Sequence, residues 1–172
     1  MTLQDDILAN QLTVEARIDK MRDKYAMEEG YIGASEEDSP WVPFVENVWI
    51  RHLTFDVRSS SAANVLWCGA GGMLGRHRHR GPVSGFTLEG TWRYLEYDWV
   101  ATPGSFVRES PGRTHTLYSE EGMKTFFWLN GPLEFLDDEN RVLETVDVFW
   151  FIDHYERYCH EQNIPINPRL YL

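Results

Sequence analysis

Three histidines carry the chemistry this sequence points to. His77 and His79 stand one residue apart in the run Gly71-Gly-Met-Leu-Gly-Arg-His77-Arg-His79, and His115 ends the turn sequence Pro111-Gly-Arg-Thr-His115. On an extended strand side chains alternate between faces, so two histidines at i and i+2 point the same way. Their imidazoles can take neighbouring positions on one metal ion, and a third imidazole from a distant tight turn would cap the pair. Imidazole is a good ligand for zinc, copper, iron and nickel. An HxH pair alone is a weak signal; preceded by a glycine-rich turn and answered by PG-x-x-H, it is a stronger one.

The same alternation turns Arg76, Arg78 and Arg80 to the opposite face, where they read as surface charges paired with carboxylates. His52 lies in an alternating segment and reads as an ordinary core or surface histidine. His154 and His160 fall on a helical pattern without sharing a face, so neither is assigned chemistry. The Walker, nucleophile-elbow and dinucleotide-binding patterns are absent, and the Gly69-Ala-Gly-Gly72 run leads into the HxH strand instead of a helix.

The elements that must position these residues are short strands. From Trp41 onward, alternating apolar stretches at 48–57, 65–68, 74–79, 83–88, 92–100, 106–109, 115–118 and 124–129 are separated by glycine, proline and serine. That spacing predicts an all-β sandwich or barrel. Val148, Ile152, Tyr155 and Cys159 recur at helical intervals ahead of Pro165, which predicts a C-terminal helix laid on the barrel. Residues 1–40 read as a polar arm. Val14, Ile18, Met21 and Tyr25 predict a short amphipathic helix capped by Thr13, packed on the body or on a second subunit.

The chain has 172 residues, 42% hydrophobic and 14% aromatic, enough for one well-filled core in the segment 41–172. A net charge of −11 argues against nucleic acid and anionic membranes as partners. The first residues lack the basic and apolar regions of a secretory signal, and no apolar run is long enough to span a bilayer. Cys68 and Cys159 have no framework spacing and read as buried thiols of a reducing, cytoplasmic compartment.

The pattern Gly71-x5-His77-x-His79, then Gly90, Gly104 and Pro111-Gly-x-x-His115, resembles the two motifs of the cupin superfamily over about residues 45–130. The resemblance implies a double-stranded β-helix, or jelly-roll barrel, with a metal near its centre. The three histidines match that superfamily's ligand positions. Its usual glutamate does not: counting back from Gly90 puts it at Val83, and neither Val83 nor Ser84 can bind metal. The second motif's asparagine falls at Ser119.

More narrowly, HRHRGPVSGFTLEGTWRYLEYDWV at 77–100 with PGRTHTL at 111–117 resembles the 2,4'-dihydroxyacetophenone dioxygenases, from about Trp41 into the C-terminal helix. That resemblance implies a non-haem Fe(II) enzyme that uses dioxygen to cleave the C–C bond of an aromatic hydroxymethyl ketone, giving 4-hydroxybenzoate and formate. Manganese, nickel or zinc could occupy the same donors. It also implies Glu96 as the additional ligand. By parity Trp92, Tyr94, Glu96 and Asp98 share one face; inward, Glu96 would need a cationic partner, and outward it would be solvated. Phe86, Trp92 and Tyr94 are candidates for a wall gripping an aromatic ring, and equally for core packing. By resemblance the chain is expected to form a homodimer or homotetramer. Two other readings stay open: a cupin dioxygenase for another substrate such as a β-diketone, and a non-enzymatic cupin that binds metal or a small ligand.

Overall fold

A computed structural model describes residues 2–25 and 29–172, which separate into two units divided between Gly30 and Tyr31. In the first unit helix α1 spans Leu3–Tyr25, so Thr13 lies within it and does not cap it. The cap is Thr2. Its hydroxyl accepts from the Asp5 N–H at 3.3 Å, and the Asp5 carboxylate accepts from the Thr2 N–H at 2.6 Å, a reciprocal capping box. Val14, Ile18 and Met21 are about half exposed; the Tyr25 side chain lies outside the described residues.

The second unit begins with a loop gathered by Arg51. Its guanidinium donates to the carbonyls of Gly33, Ser35 and Ser39. The strands follow: β1 (Trp41–Val45), β2 (Val48–Asp56), β3 (Ser61–Cys68), β4 (Gly72–His79), β5 (Val83–Gly90), β6 (Arg93–Tyr94), β7 (Phe106–Glu109), β8 (Thr114–Ser119), β9 (Met123–Asn130), β10 (Leu133–Leu136) and β11 (Val142–Val146). They form two sheets, in the orders β1-β2-β3-β9-β5-β7 and β11-β10-β4-β8-β6, with antiparallel pairing throughout. This is an all-β two-sheet arrangement of the kind the strand spacing predicts, in the jelly-roll form that the resemblance implies. Ile50, Leu66, Leu74, Leu117, Phe127 and Leu129 fill the interior from both sheets. Each such side chain contributes about 1.5–3 kcal/mol on burial.

Two departures from the predicted strands matter. The alternating stretch 92–100 does not form one long strand. Only Arg93 and Tyr94 pair with β8; then the Tyr97 N–H donates to the Tyr94 carbonyl at 3.1 Å and the chain curls. A two-way bridge between Trp92 and Ala101 closes the segment as a loop. Second, β10 and β11 were not foreseen, because they are short and show little alternation; β10 nevertheless flanks β4 and pairs Phe135 with His77.

Helix α2 (Val148–Gln162) matches its predicted place. Asp147 caps it by accepting from the Trp150 N–H, and Asn163 ends it in the left-handed conformation. Phe151 and Tyr155 pack on Phe55 and His52 of β2. No helix among the described residues is long and apolar enough to cross a membrane.

His52 is fully buried with neither ring nitrogen hydrogen-bonded. Burial, and then the nearby His154, lower its pKa from 6.5 to about 3. The folded chain therefore refuses a proton that the unfolded chain accepts below about pH 6.5, so stability falls as pH drops from there toward 3. His52→Leu should flatten that decline by up to about 1.4 kcal/mol per pH unit, without lowering stability at pH 7. Urea midpoints at pH 7 and pH 5 check this; equal slopes for both proteins would contradict it.

Candidate metal centre

The histidine pair is aimed by a β-bulge. In the β4–β8 ladder Leu74 faces Leu117 and His77 faces His115, so three steps on β4 answer two on β8. The extra residue lies at Gly75–Arg76 and resets the parity. Leu74, His77 and His79 all point inward, whereas strict alternation from Leu74 would have aimed Arg76 into the core. The bulge also fixes a tautomer. The Gly75 carbonyl can only accept, so His77 donates to it through Nδ1–H at 2.7 Å and keeps its Nε2 lone pair free. At the other end, Gly112 takes φ 80 in the Pro111–Gly112 turn and donates its N–H to the His79 carbonyl at 2.8 Å.

His77, His79 and His115 each offer a ligand atom, all within 4.8 Å of one another, and all three residues are buried. A fourth group meets them. Glu109, at the end of β7 and only 5% exposed, brings Oε2 to 3.1 Å from His79 Nε2 and 3.4 Å from His115 Nε2. Its Oε1 accepts from the Tyr94 hydroxyl at 2.5 Å, while the Tyr94 ring stacks on His115 at 3.8 Å and 11°.

This donor set fits a metal cation. Glu109 Oε2 and His115 Nε2 are buried without hydrogen-bond partners, an expensive condition unless a cation satisfies them. Ligands about 2.1 Å from one ion stand roughly 3.0–3.4 Å apart, the separation seen between Oε2 and the two imidazoles. Protonation is suited to binding as well. Burial, reinforced by the charges of the other two histidines, lowers the His77 pKa to about 3; burial lowers that of His79 to about 4 against the pull of Glu109. Burial pushes the Glu109 carboxyl up, but His115, His79 and the Tyr94 hydroxyl outweigh it and hold the group below its ordinary range. At neutral pH His77 and His79 are neutral imidazoles and Glu109 is a carboxylate, the ligand form of each.

Glu96, the carboxylate expected by resemblance, is placed elsewhere. The alternation that would carry it inward stops at Tyr94, and Glu96 is exposed, accepting from the Thr116 N–H at 2.8 Å and the Thr116 hydroxyl at 3.0 Å. Sequence reasoning missed Glu109, which no local motif marks: Val83, where the usual cupin glutamate would fall, pairs directly with Glu109 across β5 and β7.

Of the candidate wall residues, Tyr94 reaches the centre. Trp92 is buried behind it, donating Nε1–H to the Thr87 hydroxyl, and Phe86 is 43% exposed on the outer side of β5. Arg78 and Arg80 share Glu134, and Arg76 donates to Asn140, all outside the barrel. His154 bonds the Pro43 carbonyl, and His160 sits in the last turn of α2.

Two spaces meet the centre. An interior cavity of about 40 Å³ touches His77 and His79 and is otherwise walled mainly by apolar side chains such as Leu66, Leu74 and Phe127. An outer cleft of about 470 Å³ reaches His115. Tyr94 and Glu109 line both.

Comparison with known proteins adds three findings. Residues 30–134 match the ChrR cupin-like domain. The fold superposes with a TM-score of 0.78 on an RmlC-like cupin protein from Ralstonia eutropha JMP134, at 30% identity over 84% of this chain and 95% of that one. It superposes at 0.70 on an acetylacetone dioxygenase from Acinetobacter johnsonii, at 23% identity over 76% and 93%, a likeness of fold. None of the curated proteins compared matches the chain.

Glu109→Gln should weaken metal binding about ten- to hundredfold in a chelator competition, because it removes the charge facing the imidazoles. Glu96→Gln should leave it within about twofold, since its contacts are to Thr116. The reverse pattern would restore Glu96 as the ligand.

Proposed function

The chain belongs to the ChrR cupin-like domain family, and from that membership and the geometry of its site we propose that it is an iron-dependent dioxygenase cleaving the C–C bond of an aromatic hydroxymethyl ketone. The observation that carries the reading is a buried three-imidazole, one-carboxylate cluster set against an apolar cavity on one side and an aromatic-walled cleft on the other. In this reading His77, His79, His115 and Glu109 hold the ion. Four donors leave room on a six-coordinate ion, which a closed structural site would not. The chemistry iron(II) supplies in such a site is activation of dioxygen beside a substrate whose adjacent oxygens it gathers.

The chain's own residues set the conditions. His77 and His79, kept neutral by burial, hold their lone pairs available, and the Gly75 carbonyl orients the His77 ring. Tyr94 fixes Glu109 from one side and His115 from the other. The interior cavity has room for only about three water-sized molecules. It therefore suits dioxygen or a small polar fragment but not a ring. A ring must remain in the outer cleft, against Tyr97, Trp99 and Phe106, while the hydroxyketone end approaches His115. For 2,4'-dihydroxyacetophenone the balanced outcome takes one dioxygen per ketone, breaks the bond between the carbonyl and hydroxymethyl carbons, and gives 4-hydroxybenzoic and formic acids. The aromatic cleft favours this substrate class. The fold likeness to an acetylacetone dioxygenase supports a second reading, a β-diketone at the same centre.

Oxygen uptake by the Fe(II)-loaded protein tests both. With 2,4'-dihydroxyacetophenone we expect one equivalent of dioxygen consumed and one of formate released. Uptake with acetylacetone alone would favour the second reading. No uptake with either would leave a metal-binding cupin without this activity.

A further inference from the structure

We propose that the outer cleft is a binding site for a single aromatic ring bearing an anionic group, with Arg108 and Arg113 receiving the charge. The inference deepens the proposed function by giving its substrate or product a charge, and rests on that reading only where turnover is concerned. The cleft, about 470 Å³, lies in the range of small-molecule sites. Its walls carry Tyr97, Trp99 and Phe106, the last 64% exposed, with the first two rings stacked at 5.8 Å and 16°. Aromatic area left open in a concavity next to a buried donor cluster is suited to a flat apolar ligand.

Charge selects within that class. The chain has 27 acidic and 16 basic residues, and the arginines on and beside β2 and β4 find partners: Arg76 on Asn140, Arg78 and Arg80 on Glu134, Arg51 on loop carbonyls. The Arg108 and Arg113 side chains line the cleft, and among the described residues neither guanidinium makes a hydrogen bond or ion pair. Among the lining residues the one carboxylate is Glu109, buried and turned to the imidazoles and Tyr94. Topology holds the pair in place. Arg108 projects outward from β7 between Val107 and Glu109, and Arg113 follows the Pro111–Gly112 turn that is tied to His79. A guanidinium matches a carboxylate with two parallel N–H bonds and also stacks on rings. An anionic ring entering here meets two free cations and no free carboxylate.

Calorimetric titrations of the full chain with benzoate, benzamide and acetate test this, run on metal-loaded and metal-stripped protein. Benzoate should bind at least about tenfold more tightly than either the neutral ring or the ringless anion, with or without metal. Arg108→Gln/Arg113→Gln, at two exposed positions, should bring benzoate down to the level of benzamide. Equal binding of benzoate and benzamide would overturn the proposal, as would unchanged benzoate affinity in the double variant. Benzoate binding that disappears with the metal and ignores both arginines would place the anion on the ion and overturn it too. A protein that discriminates benzoate through the arginines yet consumes no dioxygen would keep the cleft and reject the oxygenase reading.

Discussion

A carboxylate oxygen buried against two imidazoles, with no donor to satisfy it, is the constraint on which this structure turns. Glu109 Oε2 and His115 Nε2 both lack hydrogen-bond partners in the interior of the barrel. Leaving such groups unpaired costs roughly 1–3 kcal/mol each, and more when charged. A fold that tolerates them is organised around something that pairs with all of them at once. A cation held by the three imidazoles and the carboxylate, as proposed, would do so.

The surrounding architecture serves that convergence. The bulge at Gly75–Arg76 turns two histidines inward where plain alternation would have buried an arginine. The β4–β8 register sets His77 opposite His115, and the Pro111–Gly112 turn fastens the second motif to the His79 backbone. Tyr94 is the joint between centre and surroundings, bonded to Glu109, stacked on His115, and exposed to both the inner cavity and the outer cleft. The same strand β7 that delivers Glu109 inward presents Phe106 and Arg108 outward, so one alternating segment builds the centre and the wall of its vestibule.

How much of this was legible in the sequence follows from how local each signal is. The histidines announce themselves because HxH and PG-x-x-H are short motifs whose geometry is set within a few residues. The all-β sandwich or barrel and α2 were readable from periodicity, since strand spacing and an amphipathic helix ahead of a proline are also local patterns. The place of Glu96 was not, because alternation over 92–100 is overridden by a turn bond at Tyr97 and a bridge to Ala101. Glu109 was hidden for the opposite reason. Its role depends on pairing with Val83, a contact between strands far apart in sequence that no single segment reveals. The start of α1 shows a third kind of miss, in which Thr2 and Asp5 form a cap that outcompetes the one assumed at Thr13.

Anomalous diffraction from crystals of the iron-loaded protein, collected across the iron absorption edge, tests the central claim most directly. The account predicts one peak per chain, about 2.1 Å from nitrogens of His77, His79 and His115 and from Oε2 of Glu109. A peak anchored on Glu96, or no peak among the three imidazoles, would contradict it.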